Sequence, residues 1–305
     1  MPLNYNGLDL LKLAIPKLIE ASEVSIHDVE IAVVDNNSHD ESEAWLKTHY
    51  PEVRFLAYKE NKILTTYNDA IEHCESPYVM ILNNDVVVDK NFIDPLVKRM
   101  ESETTCFGVS PTIQADLEHE VWEERLGGHF FHGHLAGVKL GKEAGGTLYC
   151  HGAATLVRRD RFLELGGFDP LFFYQEDNDL SYRAWRAGYS CLFEPTSQVH
   201  HLGSQTVLKD KDGLEKKRGH KERANNFFVL KNVQNVKWKM NFKFWTVMKV
   251  LKMILKGDSK RFVAFKETLK CMGALSKKYH QQVKLDDKIL MQKIADLKLQ
   301  KLADS

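Results

Sequence analysis

The stretch Tyr78–Val88, YVMILNNDVVV, constrains the fold more than any other. Tyr78 to Leu82 is an unbroken apolar run with no polar alternation, the signature of a strand covered on both faces, as in a parallel sheet flanked by helices. It stops abruptly at Asn83, Asn84 and Asp85. Open α/β sheets bind ligands just beyond the carboxyl ends of their strands. A carboxylate between amides at such an end is suited to a hard cation and to ligand oxygens. The alternative is a polar turn between two strands.

The flanking chain repeats the pattern. Leu8–Ala21 has apolar residues at helical spacing after an Asn4–Gly7 turn. Only Met1, Pro2 and Leu3 precede that turn, so the first strand is expected to be cut short or its start misassigned. Val29–Val34 is a second strand candidate, ending in Asp35. Ser38 with Glu41 fits a capping box for a helix carrying Ala44, Trp45 and Leu46. Val53–Tyr58 predicts a third strand, and Thr65–Cys74 a helix with Ala70 and Ile71 inward. Alternating strands and helices predict an α/β fold, a doubly wound sheet with a parallel core. Neither GxGxxG nor GxxxxGK[ST] occurs, which removes the dinucleotide fingerprint and the P-loop.

Beyond residue 110 the pattern weakens. Seven glycines between Gly127 and Gly146 predict a loop-rich segment, and His129, His132 and His134 within it read as loop residues without a ligand pattern. Gly152–Val157 predicts a small-residue strand. GGFDPLFFYQEDNDLSYR at 166–183 then combines a helix break, a proline turn, an aromatic wall of Phe172, Phe173 and Tyr174, and the acids Glu176, Asp177 and Asp179 at a helix start. Carboxyls beside an aromatic wall have raised pKa values, as a general base requires. Helix capping is the alternative for each, Asp179 foremost. At 200–201 two histidines close a strand, where an imidazole can ligate a metal.

With Asp35, Asn84–Asp85 and Glu176–Asp177 in place, the sequence resembles the family 2 inverting glycosyltransferases of the GT-A fold, and among them the rhamnosyltransferase-like bacterial subgroup that builds cell-surface polysaccharide. Five stretches carry the resemblance in order over residues 1 to about 235: NYNG at 4–7, VVDNNSHD at 33–40, LNND at 82–85, the 166–183 block, and VHHLGS at 199–204. It implies a Rossmann-like, mostly parallel sheet flanked by helices, with a nucleotide-sugar half over 1–109, an acceptor half over 110–235 and a helical appendage over 236–305. By resemblance, Asn4, Tyr5, Asn6, Asp35, Asn68 and Asn84 contact the donor nucleotide. Asp85 and His201 hold Mg²⁺ or Mn²⁺, Asp177 is the catalytic base and Glu176 meets the acceptor. The implied partners are a nucleoside-diphosphate-sugar, with UDP or dTDP first, and a saccharide or lipid-linked saccharide. Three departures stand out: the short opening strand, a glycine-free NKILTTYN at 61–68, and a single carboxylate in LNND, which throws more of a cation's ligation onto His201 and the diphosphate. The first two motivate the alternative of a catalytically impaired, nucleotide-binding scaffold subunit. No QxxRW motif of processive synthases occurs.

Charge is divided along the chain. From Val207 onward there are 25 Lys and Arg against 10 Asp and Glu; of the 42 and 42 in the whole chain, 17 and 32 remain before it. A basic tail implies an anionic partner. Trp238–Lys256 has an apolar stripe of Phe244, Val247, Met248, Leu251 and Ile254, with Lys249, Lys252 and Lys256 on another face. That suits an anionic membrane surface, or a helix packed on the body; the two are compatible. Residues 281–302 continue helical spacing, as a closing helix or a subunit contact. No nucleic-acid motif accompanies the basic charge. Five scattered cysteines without CxxC, no leader-like segment and no apolar run of ~20 residues imply a cytoplasmic protein, peripheral at the inner face of the cytoplasmic membrane.

Overall fold

The computed structural model describes residues 1–115, 121–122, 125–172, 174–202, 211–257, 285–293 and 296. Phe173, the Gly203–Ser204 end of the last motif, and all but 285–293 and 296 of the 281–302 segment lie outside the described residues.

The first half is a parallel α/β unit. Strands β1 (Pro2–Asn4), β2 (Ala32–Asp35), β3 (Arg54–Ala57) and β4 (Tyr78–Asn83) lie in the order β4-β1-β2-β3, all three pairings parallel. Although β1 is three residues long, it is paired on both sides, Leu3 facing Val34 and Asn83. The helices follow their apolar spacing. Helix α1 (Leu8–Val24) buries Leu11, Ala14, Ile15, Leu18 and Ala21, an i, i+3, i+4 stripe. Helix α2 (Ser42–His49) begins after Glu41 with no side-chain cap. The Ser38–Glu41 capping box therefore does not form: Ser38 turns back to Asp35, which accepts from both its N–H and its hydroxyl. Helix α3 (Thr66–Glu72) buries Ala70, Ile71 and Tyr67, whose hydroxyl lies 2.6 Å from the Leu82 carbonyl oxygen in the middle of the sheet.

The 78–88 stretch is strand, turn and strand. After β4 the chain turns at Asn84–Asp85 into β5 (Val86–Val88), then α4 (Ile93–Ser102). The sheet continues past β4 in mixed sense through β6 (Cys106–Ala115), β11 (Ala154–Arg158) and β12 (Ser190–His201), with short β7 (Val121–Trp122) and β10 (Gly145–Gly146) at its margins. Strand β11 is antiparallel to β4 and β6, β6 is parallel to β12, and β5 is antiparallel to β12. The parallel core is thus the first half, and helices cover a ten-stranded sheet.

The segment expected to be loop-rich is instead largely strand. A separate hairpin joins β8 (Arg125–Phe131) to β9 (His134–Gly141). Its two-residue turn places His132 at φ 49° and Gly133 at φ 81°, the positive pair that a tight hairpin requires. A Cβ on Gly133 would stand 2.3 Å from Cα of Phe242, so glycine is needed there for space as well. Phe242 belongs to helix α8 (Val236–Leu255), which follows α7 (Lys211–Asn232). Aromatic pairs hold α8 to the hairpin: Trp238 on Phe130 at 4.3 Å between ring centroids, Phe242 on His134 at 5.3 Å and Trp245 on His132 at 3.8 Å. His132 and His134 are thus packing residues, and burial lowers the pKa of His134. The tail helix does pack on the body, while its 244–254 stripe stays exposed.

Helices α5 (Arg159–Glu164) and α6 (Glu176–Arg186) flank the GGFD loop. Arg183 donates to the carbonyls of Leu165 and Gly167 and to Asp179. Asp179 is fully buried and also accepts from Lys231 and Asn232 of α7, and Lys231 bridges on to Asp169. Asp179 is therefore an internal counter-ion, where the sequence favoured a cap. Removing one partner from a buried ion cluster leaves the others uncompensated. Asp179→Ala is expected to lower unfolding free energy by about 3–5 kcal/mol in equilibrium denaturation, more than any exposed carboxylate-to-alanine change.

Candidate active site

The carboxyl ends of β1, β2 and β4 meet around one buried side chain. The Asn4 amide donates to Asp35 Oδ1 at 2.9 Å and to the Ser38 and Ser42 hydroxyls at 3.2 Å, and its oxygen accepts from Asn84 at 3.1 Å. The Asn6 N–H donates to Ser38, and the Asn6 side chain accepts from the N–H of His39. Asn4, Asn6, Asp35 and Asn84 are thus brought together, while the Tyr5 ring stands exposed beside them. Gly7 is required here, since a Cβ would lie 2.2 Å from Asn84 Nδ2.

Asn68 does not join this group. Its amide clasps the GGFD loop, donating to the Phe168 carbonyl and accepting from the Phe168 N–H, both at 2.8 Å. In this structure Asn68 therefore anchors that loop.

Asp85 follows Asn84 in the turn after β4. The β5–β12 register sets His201 opposite Val86, and the Leu202 N–H closes on the Asp85 carbonyl at 2.9 Å. His201 Nε2 consequently lies 3.2 Å from Asp85 Oδ1. That oxygen is buried and accepts no hydrogen bond among the described residues. A carboxylate oxygen left open beside an imidazole nitrogen is a donor set that fits a divalent cation. Among the described residues no group of three or more His, Cys, Asp or Glu could hold a metal, so most positions on the cation would fall to ligand or water oxygens. His200 points elsewhere, 3.5 Å from Asp89.

The acidic pair enters from α6. Tyr174 and Gln175 both take left-handed backbone, at φ 76° and 68°, which costs a non-glycine residue about 1–3 kcal/mol. This double kink starts the helix with Glu176 and Asp177 in its first turn. Asp177 Oδ2 accepts from the Gly152 N–H at 3.2 Å and Oδ1 from Asn178. Glu176 Oε2 is buried without a hydrogen bond among the described residues. Burial, and then the charge of Asp177, push the Glu176 pKa up to about 7. Glu176 also lines a cavity of about 160 Å³ with Lys62, Leu64, Phe168, Phe172 and Arg223.

His151, which the sequence reading passed over, completes the floor. Its N–H donates to Ser110 and its carbonyl accepts from Thr155, just ahead of β11. Burial lowers its pKa to about 4, with Asp177 opposing and His201 adding to the shift, so it is neutral near pH 7 between those two side chains. Only its place before a small-residue strand, in HGAA, hinted at this position.

The chain is similar to known proteins. The family model described as glycosyl transferase family 2 matches residues 3–166. An N-acetylglucosaminyl-diphospho-decaprenol L-rhamnosyltransferase of Mycobacterium tuberculosis is 38% identical over 60 residues, 19% of this chain and 20% of that protein. A pre-mycofactocin glycosyltransferase of the same organism is 25% identical over 195 residues, 61% of this chain and 40% of that one. The matches therefore span less than half of either relative. Among solved structures, a mannosyltransferase from Pyrobaculum calidifontis in complex with GDP-Man and Mn²⁺ covers 97% of this chain and 79% of its own, with TM-score 0.56 at 16% identity. GalNAc-T7 with UDP, GalNAc and Mn²⁺ covers 79% and 53%, with TM-score 0.55 at 17% identity. The structural likenesses establish a shared fold, and the family model, spanning more than half of the sequence, establishes the lineage: the chain belongs to glycosyl transferase family 2.

Proposed function

We propose that this chain is an inverting, metal-dependent glycosyltransferase. It moves a sugar from a nucleoside-diphosphate-sugar, with UDP or dTDP the first candidates, to a hydroxyl of a saccharide acceptor in cell-surface polysaccharide synthesis. The acceptor is lipid-linked, and the work is done at the inner face of the cytoplasmic membrane. One observation carries the reading: a hydrogen-bond-free Asp85 oxygen beside His201 lies at the same end of the sheet as the Asn4–Asp35 cluster. The rhamnosyltransferase relative, named for a diphospho-decaprenol acceptor, supports the lipid-linked class. Among the described residues no helix is long and apolar enough to cross a membrane.

Each residue has a part that its surroundings allow. The Asp35 and Asn4 cluster holds the base or ribose, with Tyr5 closing over it. Asp85 and His201 would hold Mg²⁺ or Mn²⁺, which supplies charge neutralisation for the leaving diphosphate. Asp177 takes the proton of the attacking hydroxyl, its carboxylate aimed by Gly152 and Asn178. Glu176, protonated near neutrality, offers a hydrogen bond to an acceptor oxygen from inside its cavity. Single displacement with inversion needs no covalent enzyme nucleophile.

In calorimetry with UDP and with dTDP, nucleotide binding is expected to depend on Mn²⁺ and to lose that dependence in Asp85→Ala; metal-independent binding of equal strength would refute the cation site. Asp177→Asn is expected to reduce transfer by about 10²–10⁴-fold while metal-dependent nucleotide binding survives. A fully active Asp177→Asn would end its assignment as base.

Glu176 also makes stability depend on pH. Its folded pKa of about 7 exceeds the ordinary carboxyl value of 4.5, so the folded protein keeps a proton that the unfolded chain releases. This contribution is complete below pH 4.5 and is lost as pH rises through 7. Glu176→Gln is therefore expected to exceed wild type by up to about 3 kcal/mol at pH 8 and to converge with it below pH 4.5, measured by denaturant titration at each pH.

A further inference from the structure

The outer face of α8 is unlike the rest of the surface. Phe244, Val247, Met248, Leu251 and Ile254 are between 44% and 59% exposed, and they follow one another at helical spacing. The opposite side of the same helix is spent on packing: Phe242 and Met253 are buried and Trp238 stacks on Phe130. The stripe therefore faces outward because the hairpin holds the other side.

The apolar surface does not end with the helix. Phe131, at the tip of the hairpin, is 58% exposed and stacks on His132 at 3.9 Å, and His132 in turn lies against Trp245 at 3.8 Å. Three rings thus join the hairpin tip to the helix in one continuous apolar ridge. Gly133 lets the two backbones meet this closely.

Charge selects the occupant. Lys237, Lys243, Lys249 and Lys252 stand exposed on α8 and Lys256 just past its end, and no acidic residue occurs between Glu222 and Asp258. Among the described residues, Lys249 alone of these has a carboxylate partner, Glu222 at 2.6 Å. A second copy of the chain packed face to face would set these lysines against each other. An anionic bilayer accepts both features at once, the apolar ridge at headgroup depth and the ammonium groups among lipid phosphates. The lysines within α8 also keep it at the interface, where a spanning helix would have to bury them.

We propose that α8 and the β8–β9 tip together form a preformed docking surface for anionic lipid bilayers, with Phe131, Phe244, Trp245 and Leu251 entering the headgroup region. This deepens the location given above and rests on it only for the side of the membrane that is met. Because both elements are already folded and braced, docking would need no ordering of the helix on contact.

The test is flotation of the full chain with vesicles of phosphatidylcholine alone and of phosphatidylcholine with 30% phosphatidylglycerol, without any sugar nucleotide. Binding is expected on the anionic vesicles at low salt, weakened at least tenfold in 0.5 M NaCl or without phosphatidylglycerol. Quenching of tryptophan emission by brominated lipid is expected to fall in Trp245→Phe. The Phe244→Glu, Leu251→Glu double variant is expected to lose at least tenfold in binding with its melting temperature and its Mn²⁺-dependent nucleotide binding unchanged. Phe131→Glu alone is expected to lose part of it, since the ridge spans two elements. Absence of binding at low salt, or binding indifferent to the double variant, would overturn the proposal. So would a dimer in sedimentation that the double variant dissolves, because the occupant would then be a second copy. Nucleotide binding is read separately, so failure of docking and failure of the transferase reading are told apart.

Discussion

The carboxamide of Asn4 is the constraint on which the candidate site depends. It is fully buried at the meeting point of three strand ends, and a buried amide must find its hydrogen bonds inside the protein. It finds them in Asp35 at the end of β2, Ser38 in the loop that follows, Ser42 at the start of α2 and Asn84 in the turn after β4. Asp35, buried as well, is satisfied by the same side chain and by Ser38. Losing the amide would strand both a carboxylate and a hydroxyl, so the cluster holds or fails as a unit. Asp85 inherits its position from this cluster through Asn84, one residue before it.

A second polar cluster holds the other wall. Asp179, Arg183, Lys231 and Asn232 are buried together, and Arg183 carries the brace to the backbone on either side of Gly166. Buried ion clusters add little net stability against an apolar alternative, because desolvation offsets their attraction. Their value here is geometric. The loop they hold leads into two consecutive left-handed residues, Tyr174 and Gln175, which would relax if the loop were free. Strain at the start of α6 and a rigid counter-ion cluster one turn later are parts of one device that aims Glu176 and Asp177.

What could be read from the sequence was whatever a short window contains. Unbroken apolar runs revealed β2 and β4, helical spacing revealed α1 and α8, and the fold class followed from their alternation. One misreading came from a competing local partner and the others from long-range ones. Ser38 resembles a cap until Asp35, bent back by the strand end, takes its hydroxyl. Asp179 resembles a cap until Lys231, 52 residues later, arrives beside it. The β8–β9 hairpin was hidden because its strands are rich in glycine and its turn uses His132 in place of the usual asparagine or aspartate; what makes it a strand pair is the aromatic packing of α8, a hundred residues downstream. His151 has only the faint signal of HGAA, since its surroundings are assembled from β6, β11, α6 and β12. The Phe168 backbone that Asn68 holds, a hundred residues on, was equally invisible in a short window.

The single carboxylate of LNND is the departure that the fold answers most directly. Asn84, the residue beside Asp85, brings an amide in place of a second carboxylate, and its Nδ2 is held by the Asn4 oxygen. On the proposed reading a second protein ligand has to come from elsewhere in the sheet. The β5–β12 pairing brings it: two antiparallel partners in register, Val86 with His201, place an imidazole against the open Asp85 oxygen. A one-residue slip of β12 would turn His200 inward in its place and send His201 to the far face, because side chains alternate along a strand. The long parallel pairing of β12 with β6 resists that slip along much of its length. A metal site with one acidic ligand is therefore as well defined as the register of the strand that completes it.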